Sequence, residues 1–252
     1  MIYDLPTEFY DRISIEYDGM TGREKRIDAA RRALAHFVEE YDIHSAVDMG
    51  CGSGVHAAAL ADLGVNVVGV DISPRMIAVA TESAGSRTRT RFQTGDFFSS
   101  FSLHMFDAVF CLGNSLPHIE SEAALRAVLT HWHGLLKPKG RLIVQLLNFD
   151  RFMRTGERIV AVTRSGSVLT VRFYDFTDPR WTFNILFVRG NGSHPSHELL
   201  STQHTPFLHS TIHDAALDAG FTDIFFSSTL FGDAWDENAR DTIILATAGP
   251  AP

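Results

Sequence analysis

The stretch that decides the fold is Val47-Asp48-Met49-Gly50-Cys51-Gly52-Ser53-Gly54. A strand predicted over Ser45–Met49 runs into three glycines, and a helix is predicted over Val55–Leu63. Glycine permits a positive φ and lets a ligand lie against bare backbone, while the helix N-terminus presents amide N–H groups to that ligand. The pattern indicates either a ligand site between a strand and a helix or a tight turn without a ligand.

An acidic residue favours the ligand site. Asp71 lies 21 residues after Gly50, at the end of a second strand predicted over Val65–Val70. In doubly wound folds an acidic residue at this place accepts hydrogen bonds from ribose hydroxyls. The dinucleotide fingerprint requires a glycine three residues after the second one, where this chain has Val55. The ligand is therefore expected to carry a ribose without being a dinucleotide.

Strands and helices alternate up to Asp150. Helices are predicted over Arg26–Glu40, from Ser73 to about Glu82 and over Ala123–Leu136, and strands over Thr90–Gln93, Phe106–Leu112 and Gly140–Leu147. This alternation is typical of βαβ units in a parallel sheet. Four β-rich runs then follow without intervening helices, which indicates an antiparallel sheet: Arg158–Thr163, Val168–Phe176, Trp181–Arg189 and Glu198–Gln203. A helix over Ser210–Ala219 and strands over Phe221–Ser227 and Thr242–Thr247 complete the chain.

We therefore predict one α/β domain, with a doubly wound, mostly parallel seven-stranded sheet and an inserted small antiparallel sheet. Residues 1–44 would form an N-terminal cap and helix, and residues 45–150 the cofactor-binding core. Residues 151–205 would form an inserted β lid, and residues 206–252 would complete the main sheet.

Composition excludes several classes of protein. The 252 residues include 22 Lys and Arg against 30 Asp and Glu, a net charge of −8, which argues against a nucleic-acid partner. No apolar run reaches the roughly 20 residues that span a bilayer, and the first residues lack the apolar core of a signal peptide. Cys51 and Cys111 are predicted to be small buried residues rather than a disulfide or a nucleophile, and a cytoplasmic location is expected.

The chain resembles the class I S-adenosylmethionine-dependent methyltransferases, whose motif reads Asp-x-Gly-x-Gly-x-Gly after the first strand. The match extends to Asp71, Gly95-Asp96-Phe97, Phe106-Asp107-Ala108-Val109 and Leu136-Lys137-Pro138-Lys139-Gly140. This resemblance implies S-adenosylmethionine as cofactor, with Asp71 on its ribose and Asp96 and Phe97 on its adenine. The residues implied to bind the cofactor are Tyr17, Arg26, Asp48, Gly50, Gly52, Gly54, Asp71, Ile72, Met76, Asp96, Phe97, Leu112, Asn114 and His118.

A narrower resemblance, to the glycine and sarcosine N-methyltransferases, is carried by the stretch from Phe106 to His118 and by Asn148-Phe149-Asp150. It implies that Leu112 and His118 contact the cofactor and that Asn114 faces the methyl acceptor. It also implies an N-terminal tyrosine and arginine that close over the site. Tyr17 and Arg26 are the nearest matches, with Tyr10 and Arg23 as neighbours. Arg26 would pair with the cofactor carboxylate.

One departure concerns the acceptor. Enzymes that methylate glycine place an arginine before the Asn-aromatic-Asp triplet to hold the acceptor carboxylate, and this chain has Leu147 there. A buried carboxylate without a cation is costly. We therefore expect an acceptor other than simple glycine, unless Arg172 or another arginine of the insertion reaches the site.

Methyl transfer requires alignment of the acceptor behind the methyl group and exclusion of water. The candidate catalytic residues are Asn114, His118 and His209. An amine acceptor must lose a proton, either to His118, to His209 or to solvent before binding. His209 and His213 are four residues apart, but no third ligand is evident, so no metal is expected. Trp181 and Phe183 either cover the acceptor or form the core of the inserted sheet.

The function favoured by the sequence is methyl transfer to a small molecule, with nitrogen as the preferred acceptor atom. The alternatives are an O-methyltransferase of the same fold and a non-catalytic protein that binds S-adenosylmethionine. No nucleic-acid or membrane partner is expected, and the question of a homo-oligomer stays open.

Overall fold

A computed structural model describes residues 4–17, 22–101, 106–190 and 195–250, without the side chains of residues 15–17. The strands in this part of the chain are β1 (Ser45–Met49), β2 (Asn66–Asp71), β3 (Thr90–Thr94), β4 (Phe106–Cys111), β5 (Leu136–Leu147), β6 (Ile159–Ser165), β7 (Val168–Asp175), β8 (Trp181–Arg189), β9 (Ser196–His204), β10 (Phe221–Ser227) and β11 (Asp241–Ala248). The helices are α1 (Pro6–Tyr17), α2 (Arg23–Glu40), α3 (Val55–Asp62), α4 (Pro74–Ala84), α5 (Glu122–Leu135), α6 (Phe149–Thr155) and α7 (His209–Asp218).

The main sheet has seven strands in the order β10-β11-β5-β4-β1-β2-β3. β1 pairs in parallel with β2 on one side and with β4 on the other, and β10 and β11 add an antiparallel edge. Because β2 lies on one side of β1 and β4 on the other, the strand order reverses at β1. Ligands of doubly wound sheets bind at the carboxyl ends of the strands beside such a reversal. The predicted fold is confirmed, and it brings the loops after β1, β2 and β4 to one edge.

The second sheet is antiparallel, in the order β6-β7-β8-β9, and its connections place it between β5 and α7. Its inner face packs on the core through an aromatic cluster in which the Tyr174 ring lies 5.8 Å from Phe149 and 5.7 Å from Trp181. Helix α1 contacts it as well, with the Phe9 ring 6.2 Å from that of Phe183. The N-terminal helix and the inserted sheet therefore lie on the same side of the domain.

Two helices differ from the predictions made from sequence. Helix α1 lies in a segment for which only a cap was expected, and it buries Phe9 and Ile13. Helix α6 precedes the inserted sheet, where β structure was expected from residue 151. It begins because the Asn148 side chain accepts the Arg151 N–H, and it ends at Gly156, whose φ is 66°. Seven residues were too few for helical periodicity to be visible.

The described helices include none with the length and apolar character needed to cross a membrane.

Candidate active site

The glycine loop after β1 forms one wall of the site. Gly50, Gly52 and Gly54 have φ values of 76°, 53° and 80°, a region that other residues rarely adopt. A Cβ atom on Gly50 would lie 2.7 Å from the Ser115 Cβ, whereas one on Gly52 would meet no atom within 4 Å. Gly50 is thus required for close packing, and Gly52 leaves its backbone open to a ligand.

Asp71, at the end of β2, is held by the same loop. Its Oδ2 accepts the Gly52 N–H at 2.8 Å, and its Oδ1 accepts the Ser73 N–H at 2.9 Å. Burial raises the pKa of this carboxyl group, and the two N–H donors partly oppose that rise. Each oxygen keeps a free lone pair, so Asp71 can still accept hydrogen bonds from a ligand.

A first cavity of about 550 Å³ opens at this edge of the sheet. Ten of the residues predicted to bind a cofactor line it: Arg26, Gly50, Gly52, Asp71, Ile72, Met76, Asp96, Phe97, Leu112 and His118. The backbone of Phe97 is held in position because the Trp132 indole N–H donates to the Phe97 carbonyl oxygen at 2.9 Å. The fold therefore brings these ten predicted residues to one place.

A second cavity of about 380 Å³ adjoins the first, and Tyr10, Arg26, His56 and Gly113 line both. Asn114 and Leu147, which were expected to face the acceptor, line the second cavity. Phe183 lines it too, whereas Trp181 does not, since Trp181 packs against Phe149 and Tyr174 instead. Trp181 therefore fits the role of a core residue of the inserted sheet, whereas Phe183 fits that of a residue facing the second cavity.

Hydrogen bonds between partly or fully buried side chains connect the two cavities. His118 Nε2 lies 2.9 Å from the Tyr10 hydroxyl and 3.2 Å from His204 Nε2. His204 Nδ1 lies 2.8 Å from the Tyr174 hydroxyl, which accepts from Asn114 Nδ2 at 3.4 Å. Asn114 Oδ1 accepts the Leu147 N–H at 2.9 Å. We call these five side chains, from Tyr10 to Asn114, the inter-cavity chain.

The two histidines of the inter-cavity chain, His118 and His204, are electrically neutral near pH 7. Burial, assisted by the Arg180 charge, lowers the pKa of His118 to about 3. Burial, the neighbouring His118 and the Arg180 charge, in that order, lower the pKa of His204 well below its usual value. Arg180 is close because its guanidinium donates to the carbonyl oxygens of His118 and Gln203. Neutral imidazole is a weak base at such a pKa, so these rings serve as hydrogen-bonding groups.

Three of the predicted residues lie elsewhere. Asp48 is fully buried beneath the loop, and burial together with the nearby Asp71 charge raises its pKa to about 7. Gly54 packs against the Phe92 ring. His209 lies outside both cavities, where its Nδ1 and backbone N–H contact the Asp150 carboxylate at 2.8 and 3.0 Å. The Tyr17 side chain is outside the described part of the structure.

Sequence reasoning missed His56, His204 and Tyr174. His56 follows the glycine loop on α3 and lines both cavities, and burial lowers its pKa to about 4. Its place on the first turn after the loop was a usable signal. His204 and Tyr174 lie on β9 and β7, and no motif marked them.

The described residues contain no group of three His, Cys, Asp or Glu side chains placed to hold a metal ion. Cys51 and Cys111 are buried free thiols, and burial raises the pKa of both. Neither cysteine is therefore an activated nucleophile.

The strand order, with a glycine loop and an acidic residue at the point where it reverses, defines the class I fold of the S-adenosylmethionine-dependent methyltransferases. A solved structure with this fold, the CcbJ methyltransferase from Streptomyces caelestis, superimposes with a TM-score of 0.82 at 20% identity. The alignment covers 98% of this chain and 100% of that one. Residues 46–140 match the family model described as "Methyltransferase domain".

Curated relatives are similar over part of their length. A glycine/sarcosine N-methyltransferase of Parasynechococcus marenigrum is 31% identical over 155 residues, which are 60% of this chain and 55% of that protein. A ubiquinone biosynthesis O-methyltransferase of Xylella fastidiosa is 34% identical over 105 residues, which are 40% of this chain and 41% of that protein. The matched region thus spans about half the length of these relatives.

Proposed function

We propose that this protein transfers a methyl group from S-adenosylmethionine in the first cavity to an amine nitrogen of a small molecule in the second. The observation that carries this proposal is the adjoining pair of cavities, which share Tyr10, Arg26, His56 and Gly113. A donor and an acceptor bound in adjoining cavities can bring the reacting atoms together, as a direct displacement requires.

The residues of the first cavity fit this cofactor. Gly52 offers bare backbone, and the buried Asp71 carboxylate has oxygen lone pairs for ribose hydroxyls. Phe97 and Ile72 provide apolar surface for the adenine, beside the carboxylate of Asp96. Arg26 lines both cavities and would pair with the cofactor carboxylate.

When bound, S-adenosylmethionine supplies a methyl group already activated on a positively charged sulfur. The amine lone pair forms the new N–C bond, while the electron pair of the broken C–S bond stays with sulfur. The chain must hold the amine in line and keep water out. Asn114 is suited to orient the acceptor because both ends of its amide group are fixed, at Leu147 and at Tyr174.

Neither histidine that was predicted as a base is suited to take the amine proton. His118 is a weak base because its pKa is lowered to about 3, and His209 lies outside both cavities. We therefore infer that the amine releases its proton to solvent and binds in its neutral form. The proton on the methylated nitrogen then leaves with the product.

The activities for which the relatives are named favour nitrogen over oxygen as the methyl acceptor. Glycine/sarcosine N-methyltransferases match a longer part of the chain than the ubiquinone biosynthesis O-methyltransferase does. Methyl transfer to oxygen is the second candidate, and the O-methyltransferase relative favours it. Acceptance of glycine is not expected, because Leu147 adds an apolar surface to the second cavity.

The experiment has two stages. Calorimetry with S-adenosylmethionine measures cofactor binding, and a radiolabel assay with a panel of amines and hydroxyl compounds then measures transfer. We expect binding and transfer to amines. Binding without transfer to any compound would favour a non-catalytic binding protein, and transfer confined to hydroxyl compounds would favour O-methylation.

A further inference from the structure

Strand β5 fixes both the backbone and the side chain of Asn114. The φ of Asn114 is 70°, its backbone N–H donates to the Gln145 carbonyl oxygen at 3.1 Å, and its Oδ1 accepts the Leu147 N–H at 2.9 Å. Turning the amide group over would bring two N–H donors together at Leu147, so the side chain has one favoured orientation. The Nδ2 atom, which can only donate, is therefore the end that faces Tyr174.

The Tyr174 hydroxyl is the acceptor for that N–H. Tyr174 is buried, and within the described part of the chain its hydroxyl has two polar neighbours, Asn114 Nδ2 at 3.4 Å and His204 Nδ1 at 2.8 Å. A hydroxyl has one proton, and Asn114 Nδ2 cannot accept it. The proton is therefore satisfied only when it points at an unprotonated Nδ1 of His204, and a Tyr174 lone pair then faces Asn114.

The two possible directions of the inter-cavity chain differ in how many of its polar atoms they leave without a partner. A neutral His204 with its proton on Nε2 accepts from Tyr174 and donates to His118 Nε2, which leaves His118 Nδ1 without a described partner. With the proton on His204 Nδ1 instead, the Tyr174 proton also lacks an acceptor. Buried groups without hydrogen bonds are costly, so the first direction is more stable. Tyr10 is compatible with both, because its hydroxyl can donate to His118 Nε2 or accept from it.

We propose that His204 is a positioning residue for methyl transfer, because its Nδ1 holds the Tyr174 hydroxyl proton away from Asn114. This inference rests on the proposed function and adds a residue that acts through another. One N–H of the Asn114 amide goes to Tyr174, and the second can donate to the acceptor molecule in the second cavity, which Asn114 lines. It contacts an electronegative atom other than the attacking nitrogen, whose lone pair must stay free. A reacting group displaced by about 1 Å can react about 100-fold more slowly, so this contact matters for alignment.

The position of the His204 proton can be measured directly. NMR of the protein with isotope-labelled histidine, saturated with S-adenosylhomocysteine, distinguishes a ring protonated on Nε2 from one protonated on Nδ1 through correlations between ring protons and ring nitrogens. The signals of His204 are those lost in His204→Phe. We expect the proton on Nε2 in the natural protein, and a proton on Nδ1 would overturn the inference.

Two variants separate the hydrogen bonds of His204 from its shape. His204→Phe keeps a ring that can stack on Phe183, whose ring lies 4.9 Å from that of His204 at an angle of 11°, but it offers Tyr174 no acceptor. His204→Asn keeps a side-chain oxygen near the place of Nδ1. With the amine of the panel that is methylated most rapidly, we expect kcat to fall roughly tenfold or more in His204→Phe and to recover in part in His204→Asn. The affinity for S-adenosylmethionine in calorimetry should stay nearly unchanged.

A further pair of variants tests whether His204 acts through Tyr174. Tyr174→Phe removes the hydroxyl that joins His204 to Asn114. If His204 acts through that hydroxyl, the double variant should lose no more kcat than Tyr174→Phe alone. Losses that multiply would mean that His204, which also lines the second cavity, acts on the acceptor directly. His197→Phe is the matched control, because His197 is an exposed histidine on the same strand, β9, and it should keep the natural kcat.

The outcomes separate the two proposals. Failure to bind S-adenosylmethionine, or transfer to no amine, would overturn the proposed function and the role of His204 with it. Where an amine is methylated, a proton on His204 Nδ1, an unchanged kcat in His204→Phe, or losses that multiply in the double variant would overturn the inference alone. If a variant does not fold in circular dichroism, the NMR measurement on the natural protein still decides the direction of the hydrogen bonds.

Discussion

The Nε2 atoms of His118 and His204 lie 3.2 Å apart, and the two rings are approximately perpendicular at 86°. A neutral imidazole has one N–H, so one ring donates and the other accepts at this contact. His118 comes from the turn after β4 and His204 from the last strand of the inserted sheet. This contact therefore ties the inserted sheet to the cofactor-binding core.

Acid should destabilise the protein through this pair. The pKa of His118 is lowered to about 3 in the folded state, and that of His204 is also lowered, whereas unfolded histidine titrates near about 6.5. Below that value the unfolded state binds protons that the folded state does not, so stability falls as the pH falls. We expect His118 to contribute a loss of about 2 kcal/mol between pH 7.5 and 5.0, measured by urea unfolding, and His204 to increase that loss.

His204→Gln should lower this pH-dependent loss, whatever it does to stability at pH 7.5. His197→Gln is the control, because His197 is exposed on the same strand, β9. An identical pH dependence in the natural protein and His204→Gln would contradict the neutral buried pair.

Asp48 should have the opposite effect. Its pKa is raised to about 7 in the folded state, against about 3.9 when unfolded, so the folded state holds a proton that the unfolded state releases. Stability is therefore lost as the pH rises between these values and levels off above 7. Asp48→Asn removes this pH-dependent contribution to the stability. Its stability relative to the natural protein should rise by about 2 kcal/mol between pH 5 and 8 in urea unfolding.

The control for this experiment is Asp42→Asn, at an aspartate whose side chain is 87% exposed. It should show no such rise. A constant difference between Asp48→Asn and the natural protein would mean that Asp48 is ionised throughout the range.

Two glycines of the same loop should respond differently to alanine. Both have a positive φ, so both variants carry a similar backbone cost of roughly 1 kcal/mol. Gly50→Ala also places a Cβ atom 2.7 Å from the Ser115 Cβ and should lose roughly 1–3 kcal/mol more in thermal unfolding. Gly52→Ala meets no protein atom, yet it should weaken binding of S-adenosylmethionine because its Cβ enters the cavity. Equal stability of the two variants would refute the close approach at Gly50.

Asp71→Ala should weaken S-adenosylmethionine binding by about 1–3 kcal/mol, the cost of leaving ribose hydroxyls without their acceptor. Calorimetry measures the change at a temperature where circular dichroism shows the variant to be folded. Asp28→Ala, at an exposed position on α2, is the control and should bind normally. Unchanged affinity in Asp71→Ala would remove this carboxylate from the site.

Much of the cofactor cavity could be predicted because its signals are local. A glycine run after a buried strand and an acidic residue after the next strand lie at fixed spacings, and parallel pairing brings those strand ends to one edge. Gly50, Gly52 and Asp71 therefore lie together as expected. His209 was expected near the acceptor as a possible base, but its side chain contacts Asp150, a partner 59 positions away in the sequence.

The order of the strands, the doubly wound sheet and the antiparallel insertion were determined by the sequence alone, since hydrophobic periodicity and glycine backbone freedom act within a few residues. Only the tertiary structure decided which side chains line the second cavity. The meeting of His118 with His204, and the position of Arg172 beside Phe183 and Leu147 in the second cavity, depend on how the inserted sheet packs on the core. That packing is set by apolar contacts between segments far apart in the chain, such as Phe149 with Tyr174 and Phe9 with Phe183. Such contacts are cooperative and have no fixed spacing in the sequence.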